Sequence, residues 1–247
     1  MYNPFTLEGK SILVTGASSG IGRGIAIACS RMGANVIVCG RNEEKLENTA
    51  KLMEGKGHIL LQGDLTVSAD IASMVNQVPL LDGIVHCAGV GQRILCKQLE
   101  ETDISAVMDV NFKAPVMLQK VLLTEKKVKK GASILFIASI ASWSPSIGNS
   151  MYSASKGAII SYAKCLSLEL APRGIRVNCI SPAMVWTDLV TKGGVNIELL
   201  EKDEKNYPLQ RYGTAEDIAH LSVYMLSDAS RWMTGSNVEI TGGGKLS

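Results

Sequence analysis

The stretch SILVTGASSGIGRGIA, residues 11–26, passes from a short apolar run through a glycine-rich turn into a helical pattern. A run such as 11–15, apolar without alternation, suits a strand buried on both faces. Gly16, Gly20 and Gly22 follow with the spacing G-x-x-x-G-x-G. Gly16 permits a tight exit from the strand, Gly20 lets the backbone approach a ligand, and Gly22 lets the helix pack closely on the strand. The first N–H groups of that helix offer a positive dipole end to a pyrophosphate. Ser18 and Ser19 add hydroxyl donors. The spacing is not that of G-x-G-x-x-G, so the dinucleotide reading rests on the strand–turn–helix chemistry alone.

Similar apolar runs recur at 35–39, 58–62, 83–87, 133–138, 176–180 and 237–240. Helical patterns lie between them at 21–32, 43–54, 68–77, 103–127, 151–171 and 215–227. Repeated strand–helix units predict an α/β fold, a parallel sheet with helices on both faces and right-handed crossovers. No repeat or linker interrupts the 247 residues, so residues 1–247 read as one domain. Residues 188–207 break the rhythm with Gly193-Gly194, a charged helical pattern and Tyr207-Pro208, and read as a lid over a substrate.

A net charge of +2 provides no field for nucleic acid, and no apolar run approaches the ~20 residues of a membrane span. The N-terminal stretch lacks the charged and apolar regions of a signal peptide. The six cysteines form no C-x-x-C and read as reduced thiols of a cytoplasmic protein. The three scattered histidines give no metal site.

The second strand ends in IVCGRNEEK, residues 37–45. An acid at this point accepts the adenosine ribose hydroxyls in NAD-binding units. Here Gly40 stands in that place and Arg41 follows, and a guanidinium attracts a 2′-phosphate. The expectation is NADP(H) in preference to NAD(H). Asp64, in QGDLT at the end of the third strand, is placed to accept from the adenine amino group.

TGASSGIG (15–22), HCAG (86–89), Asn111, Ser139, YSASK (152–156) and NCISPAMVWT (178–187) stand in one order, followed by GSNVEITGGG (235–244). In this the chain resembles the short-chain dehydrogenase/reductase family, in its single-domain branch that includes 3-oxoacyl-(acyl-carrier-protein) reductases. The resemblance implies a doubly wound, seven-stranded Rossmann sheet and a catalytic tetrad of Asn111, Ser139, Tyr152 and Lys156. It also implies cofactor contacts from Gly16, Ser18, Ser19, Gly20, Ile21, Gly22, Arg41, Asp64, Leu65, Cys87, Ala88, Gly89, Tyr152, Lys156, Pro182, Val185 and Thr187. A homotetramer, or a homodimer, through 103–127, 151–171 and the last strand is implied as well. Two departures stand out. His86-Cys87 replaces the usual Asn-Asn, and His86 reads as a structural brace. Pro182-Ala183 replaces the usual Pro-Gly, which asks for a more ordinary backbone angle in the loop bearing Thr187.

The chemistry follows from residue types. Tyr152 and Lys156, at i and i+4, share one helix face. A free phenol ionises too high to exchange a proton at neutral pH. A lysine charge ~4–5 Å away, at an effective dielectric of ~20, favours the phenolate by roughly 3–4 kcal/mol. Tyr152 then protonates a carbonyl oxygen as hydride arrives, Ser139 donates to the same oxygen, and Lys156 also reaches the ribose. Pro115 has no N–H for the carbonyl of Asn111, so that carbonyl is freed and the helix is predicted to kink there.

The substrate is written less clearly. Val90, Gly91, Ile140, Trp143, Ile147, Met151, Met184 and Trp186 are candidate walls for an apolar carbonyl compound, with Ser139, Trp143, Ile147, Tyr152, Met184 and Trp186 nearest it. EKKVKKG (125–131) and PRGIR (172–176) put Lys127, Lys129, Lys130 and Arg173 at helix ends, a candidate docking patch for an acidic acyl carrier protein. A keto-sugar or polyol reductase is the alternative among enzymes. A non-catalytic NADP(H) sensor is the alternative of another class.

Overall fold

The computed structural model describes residues 2–191 and 196–244. In chain order the elements are β1 (Ser11–Thr15), α1 (Gly20–Arg31), β2 (Asn35–Gly40), α2 (Glu43–Ala50), β3 (Ile59–Gln62), α3 (Ser68–Gln77) and β4 (Leu81–His86). Then come α4 (Glu101–Met108), α5 (Ala114–Thr124), β5 (Val128–Ile137), α6 (Ser150–Leu170), β6 (Arg176–Pro182), α7 (Asp188–Thr191), α8 (Ile197–Glu204), α9 (Ala215–Leu226) and β7 (Asn237–Ile240).

The seven strands form one sheet in the order β3-β2-β1-β4-β5-β6-β7, and every pair is parallel. The strands carry apolar side chains on both faces because both faces are covered. Ile12, Val14, Val36, Val38, Leu135 and Ile137 pack toward α1 and α9, against Ile25, Cys29, Ile218 and Val223. Their neighbours Leu13, Ile37, Ile134 and Phe136 pack toward α3, α5 and α6, against Ile71, Leu118, Ile159 and Leu166. Each such side chain contributes roughly 1.5–3 kcal/mol by leaving water. The chain winds outward from β1 to β3 and returns to place β4 on the other side of β1. Adjacent crossovers therefore leave in opposite directions, and a crevice opens at the carboxyl ends of β1 and β4.

Several predicted boundaries move. The helix predicted over 103–127 is divided: a five-residue π turn, Asp109–Lys113, separates α4 from α5. Pro115 is the cause, since it gives no hydrogen bond to the Asn111 carbonyl and the helix widens where that bond is missing. The strand predicted over 133–138 begins earlier, at Val128, because Val128 already pairs with Leu81. The basic cluster therefore sits on a turn, with Lys126 at φ 54°, and on the start of a strand. The charged pattern after residue 188 forms α7 and α8, while Gly193 and Gly194 lie outside the described residues. Among the described residues no helix is long and apolar enough to cross a membrane.

His86 closes β4 inside the protein. Its ring stacks on Phe136 at 4.6 Å, and Nε2 lies 3.0 Å from Gln119 Oε1 on α5. Burial pushes its imidazole down to about 4, with the Gln119 bond opposing. An unfolded chain takes up this proton below about pH 6.5, whereas the folded chain resists it. The stabilisation is complete above that value and is lost as the pH falls toward 4. Between pH 7 and pH 4 His86 should remove roughly 3 kcal/mol of stability. Urea unfolding at both pH values checks this: His86→Asn should flatten the dependence by that amount, and an unchanged slope would place the acid sensitivity elsewhere.

Candidate active site

The glycine turn is shaped by contacts that leave no room for side chains. Gly16 has φ 66° and Gly20 φ 52°. A Cβ at residue 16 would stand 2.8 Å from the Ala88 Cα, and one at residue 22 would meet the Gly16 carbonyl oxygen. The α1 start carries no acid in its first turn and no side-chain cap from Ser19, so its N–H groups remain open to a phosphate. Thr15, buried at the end of β1, accepts from the N–H groups of Cys87 (3.0 Å) and Ala88 (3.2 Å), tying the two strand exits together. Arg23 donates to Thr49 Oγ1 and to the Ser18 carbonyl, and Thr49 donates to the Ala17 carbonyl. Sequence reasoning missed Thr15, Arg23 and Thr49, since their roles are hydrogen bonds to residues distant in the chain.

At the adenine end, Arg41 is exposed and its Nη1 lies 3.8 Å from Asp64 Oδ2. Asp64 Oδ1 accepts from the Thr66 N–H (2.9 Å) and hydroxyl (2.7 Å). These bonds, then the Arg41 charge, hold its carboxyl below the usual carboxylate range. One oxygen of Asp64 is thus committed to its own turn, and Oδ2 alone faces Arg41.

The predicted tetrad comes together at the carboxyl ends of β4 and β5. Lys156 is buried, and its ammonium donates to the Ile137 carbonyl at 2.8 Å while standing 5.6 Å from the centre of the Tyr152 ring. Ser139 Oγ accepts from the Ala141 N–H at 3.1 Å, which leaves its own proton to give. Asn111, in the π turn, is buried. Its Nδ2 donates to the Val90 carbonyl (2.9 Å) and to Ser155 Oγ (3.1 Å), and its Oδ1 accepts from the Val90 N–H (2.8 Å). Ser155 in turn donates to the Tyr152 carbonyl at 2.7 Å. A Cβ at residue 89 would lie 3.3 Å from Asn111 Oδ1 and 3.6 Å from Lys156 Nζ, so Gly89 completes the cluster. Burial pushes the Cys87 thiol up to about 12 despite the Lys156 charge, and it stays protonated.

One cleft of about 870 Å³ joins these parts. Every predicted cofactor residue lines it, as do Ser139 and Met184; Asn111 stands behind the wall. Three predicted substrate contacts do not line it. Trp143 and Ile147 are exposed, Ile147 at 87%. Trp186 turns away because its indole N–H needs an acceptor, which Glu204 on α8 supplies at 2.9 Å, and it packs on Tyr212. Met151 is likewise absent from the wall. Of the other expected wall residues, Val90, Gly91, Ile140 and Met184 do line the cleft, and Ser144, Ser146, Leu199 and Tyr212 line it with them. Ala183 keeps a negative φ. The loop carrying Thr187 is held by backbone bonds from Trp186 N–H to the Gly213 carbonyl and from Gly213 N–H to the Met184 carbonyl.

The basic cluster lies elsewhere. Lys127 donates to the Val78 carbonyl, Lys129 pairs with Asp82 at 2.8 Å, and Arg173 donates to the Val128 carbonyl. These groups sit at the start of β5, the end of the sheet opposite Ser139. Within one chain they do not border the cleft.

A family model described as enoyl-(acyl carrier protein) reductase matches residues 16–245. The chain belongs to the short-chain dehydrogenase/reductase family. It is similar to the 3-oxoacyl-(acyl-carrier-protein) reductase of Rickettsia felis, 32% identical over 96% of this chain and 97% of the relative. Among solved structures it resembles a 3-ketoacyl-(acyl-carrier-protein) reductase from Brucella melitensis complexed with NADH. That likeness has a TM-score of 0.88 at 26% identity, over 98% of this chain and 100% of the other. It also resembles an actinorhodin polyketide ketoreductase variant with NADPH, TM-score 0.88 at 28% identity, over 97% and 98% of the two chains. The protein is an oxidoreductase of this family.

The link from Asn111 through Ser155 to the Tyr152 carbonyl is testable by stability. Ser155→Ala leaves one Asn111 N–H without its acceptor in the interior and should cost about 1–3 kcal/mol in urea unfolding. A loss near zero would mean that the Ser155 hydroxyl is dispensable there.

Proposed function

We propose that the protein is an NADP(H)-dependent ketoreductase that interconverts a carbonyl and a secondary alcohol, with a 3-oxoacyl thioester as substrate. The observation that carries this reading is the buried Lys156 ammonium beside the Tyr152 ring in the cleft that begins at the glycine turn. The turn fits a dinucleotide, since Gly16 and Gly22 leave a cradle that any Cβ would fill. Gly16, Gly20 and the α1 start would hold the pyrophosphate, and Thr187 the carboxamide. When bound, the nicotinamide supplies the hydride. Tyr152 gives its phenolic proton to the carbonyl oxygen, and Ser139 donates to that oxygen as charge builds on it. Lys156 favours the phenolate left behind. The Asn111 main-chain carbonyl, freed by Pro115, offers an acceptor for a proton path from Lys156. Leu199 and Leu200 on α8 support a cover over the substrate end.

NADP(H) preference is supported by Gly40 where an acid would bind ribose and by the exposed Arg41 guanidinium on the cleft. The thioester substrate is supported by the relatives that carry acyl-carrier-protein names. Exposed Ile104, Met117 and Leu168 on α4, α5 and α6 support a homotetramer through these helices.

Loss of NADPH absorbance with an acetoacetyl thioester, beside a panel of keto-sugars, tests the reaction. Turnover confined to keto-sugars would overturn the thioester. Tyr152→Phe should lower kcat about 10²- to 10⁴-fold with NADPH affinity by fluorescence titration unchanged. In the same assay Arg41→Ala should raise the KM for NADPH about 10-fold or more and leave NADH within twofold. A wild-type preference for NADH would sink the cofactor assignment.

A further inference from the structure

The substrate end of the cleft carries a set of polar side chains that the reaction itself does not use. The loop after β4 is pinned to the loop after β5 by a bond from the Ile94 N–H to the Gly148 carbonyl at 2.8 Å. Gly148 makes this approach possible at φ 76°, with the Arg93 and Ile94 backbone facing it. Arg93 from the first loop and Ser144, Ser146 and Asn149 from the second line the cleft beside this junction. Among the described residues none of these four side chains makes a hydrogen bond or ion pair within the chain. Asn149 precedes α6 yet its side chain does not cap that helix.

Three cations line the cleft among the described residues: Arg41, Lys156 and Arg93. Arg41 lies by Asp64 at the adenine end, and Lys156 is held by the Ile137 carbonyl. The acids at the substrate end are engaged, Asp203 by the Tyr212 hydroxyl at 2.6 Å and Asp188 by another group. Arg93 is therefore the uncommitted charge where the substrate must lie.

We propose that Arg93, with Ser144, Ser146 and Asn149, forms an anion subsite, and that the natural substrate carries a carboxylate or phosphate beyond its reacting carbonyl. A guanidinium offers a planar fork that matches both groups, and the two hydroxyls and the amide supply further donors. Arg93 and Ser146 are exposed at the cleft, within reach of a group entering from solvent, while Ser144 and Asn149 are half-buried behind them. The inference rests on the reductase reading and narrows its substrate class. The anion has two sources, the carboxylate of a free keto acid or the phosphate of a carrier arm.

Matched pairs separate them. NADPH oxidation is followed with acetoacetyl-pantetheine against its 4′-phosphate, and with a keto ester against the corresponding keto acid. Wild-type protein, Arg93→Ala and Arg93→Lys are compared. The wild type should favour the charged member of one pair by about 10- to 100-fold in kcat/KM, mainly through KM. Arg93→Ala should abolish that ratio, and Arg93→Lys should restore part of it. A phosphate preference identifies a carrier arm, and a carboxylate preference a free acid. Equal use of both members by the wild type, or an equal loss on both in Arg93→Ala, would overturn the subsite. If no pair is turned over, the reductase reading has failed, and the subsite is then judged by melting. A Tm rise with 4′-phosphopantetheine or the keto acid, absent with its neutral partner and lost in Arg93→Ala, supports it. No charge-dependent rise refutes it.

Discussion

The ammonium of Lys156 lies below the surface, where an unpaired charge would be costly, and it is met by the carbonyl oxygen of Ile137. This one bond ties helix α6 to the last residue of β5. It places Tyr152, one turn earlier, over the carboxyl ends of the strands. Ser139 follows two residues after Ile137, so the donor and the phenol are brought together by the same contact. Gly89 and Asn111 close on the lysine from β4 and from the π turn. Moving β5 or α6 would leave the charge without its oxygen, and the site depends on that constraint.

The π turn shows how a local defect becomes a joint. Pro115 removes one hydrogen bond from what would otherwise be a continuous helix, and five residues widen to absorb the loss. The widening sets Asn111 deep enough for its amide to clamp the Val90 backbone and reach Ser155. Ser155 passes the connection to the Tyr152 carbonyl. A cleft wall, a helix interruption and the phenol-bearing helix thus share one buried network, whose parts strengthen one another in a low-dielectric interior.

His86 stands at the same carboxyl end of β4, where the family resemblance calls for asparagine. His86 replaces an asparagine, and the ring gains a stacking partner in Phe136 and a polar partner in Gln119. This contact ties β4 to α5, with His86 Nδ1 and Gln119 Nε2 buried and unpartnered among the described residues. Its consequence is a buried base that resists protonation, and so a source of acid sensitivity in the fold. Ala183, where the resemblance calls for glycine, is followed by a loop held by backbone bonds from the Trp186 N–H to the Gly213 carbonyl and from the Gly213 N–H to the Met184 carbonyl.

The strand–turn–helix of residues 11–26, the seven apolar runs and the Tyr152–Lys156 spacing were legible in the sequence because each is a local pattern. Continuous apolar runs encode burial on both faces, and an i, i+4 pair shares a helix face wherever the helix goes. The helix break was legible too, since a proline's missing N–H acts within one turn. The apolar wall of the cleft was legible in part, through Val90, Gly91, Ile140 and Met184. Trp143, Ile147 and Trp186 are apolar by type, yet Trp186 follows its hydrogen bond to Glu204 and the others meet solvent. The basic run 125–131 looked like a helix end until Val128 paired with Leu81 and carried it to the far edge of the sheet. The sequence by itself determined the fold class, the glycine cradle and the proton-transferring pair. Tertiary structure decided which loops met across the cleft and left Arg93 uncommitted there, because side-chain direction in loops is set by partners distant in the chain.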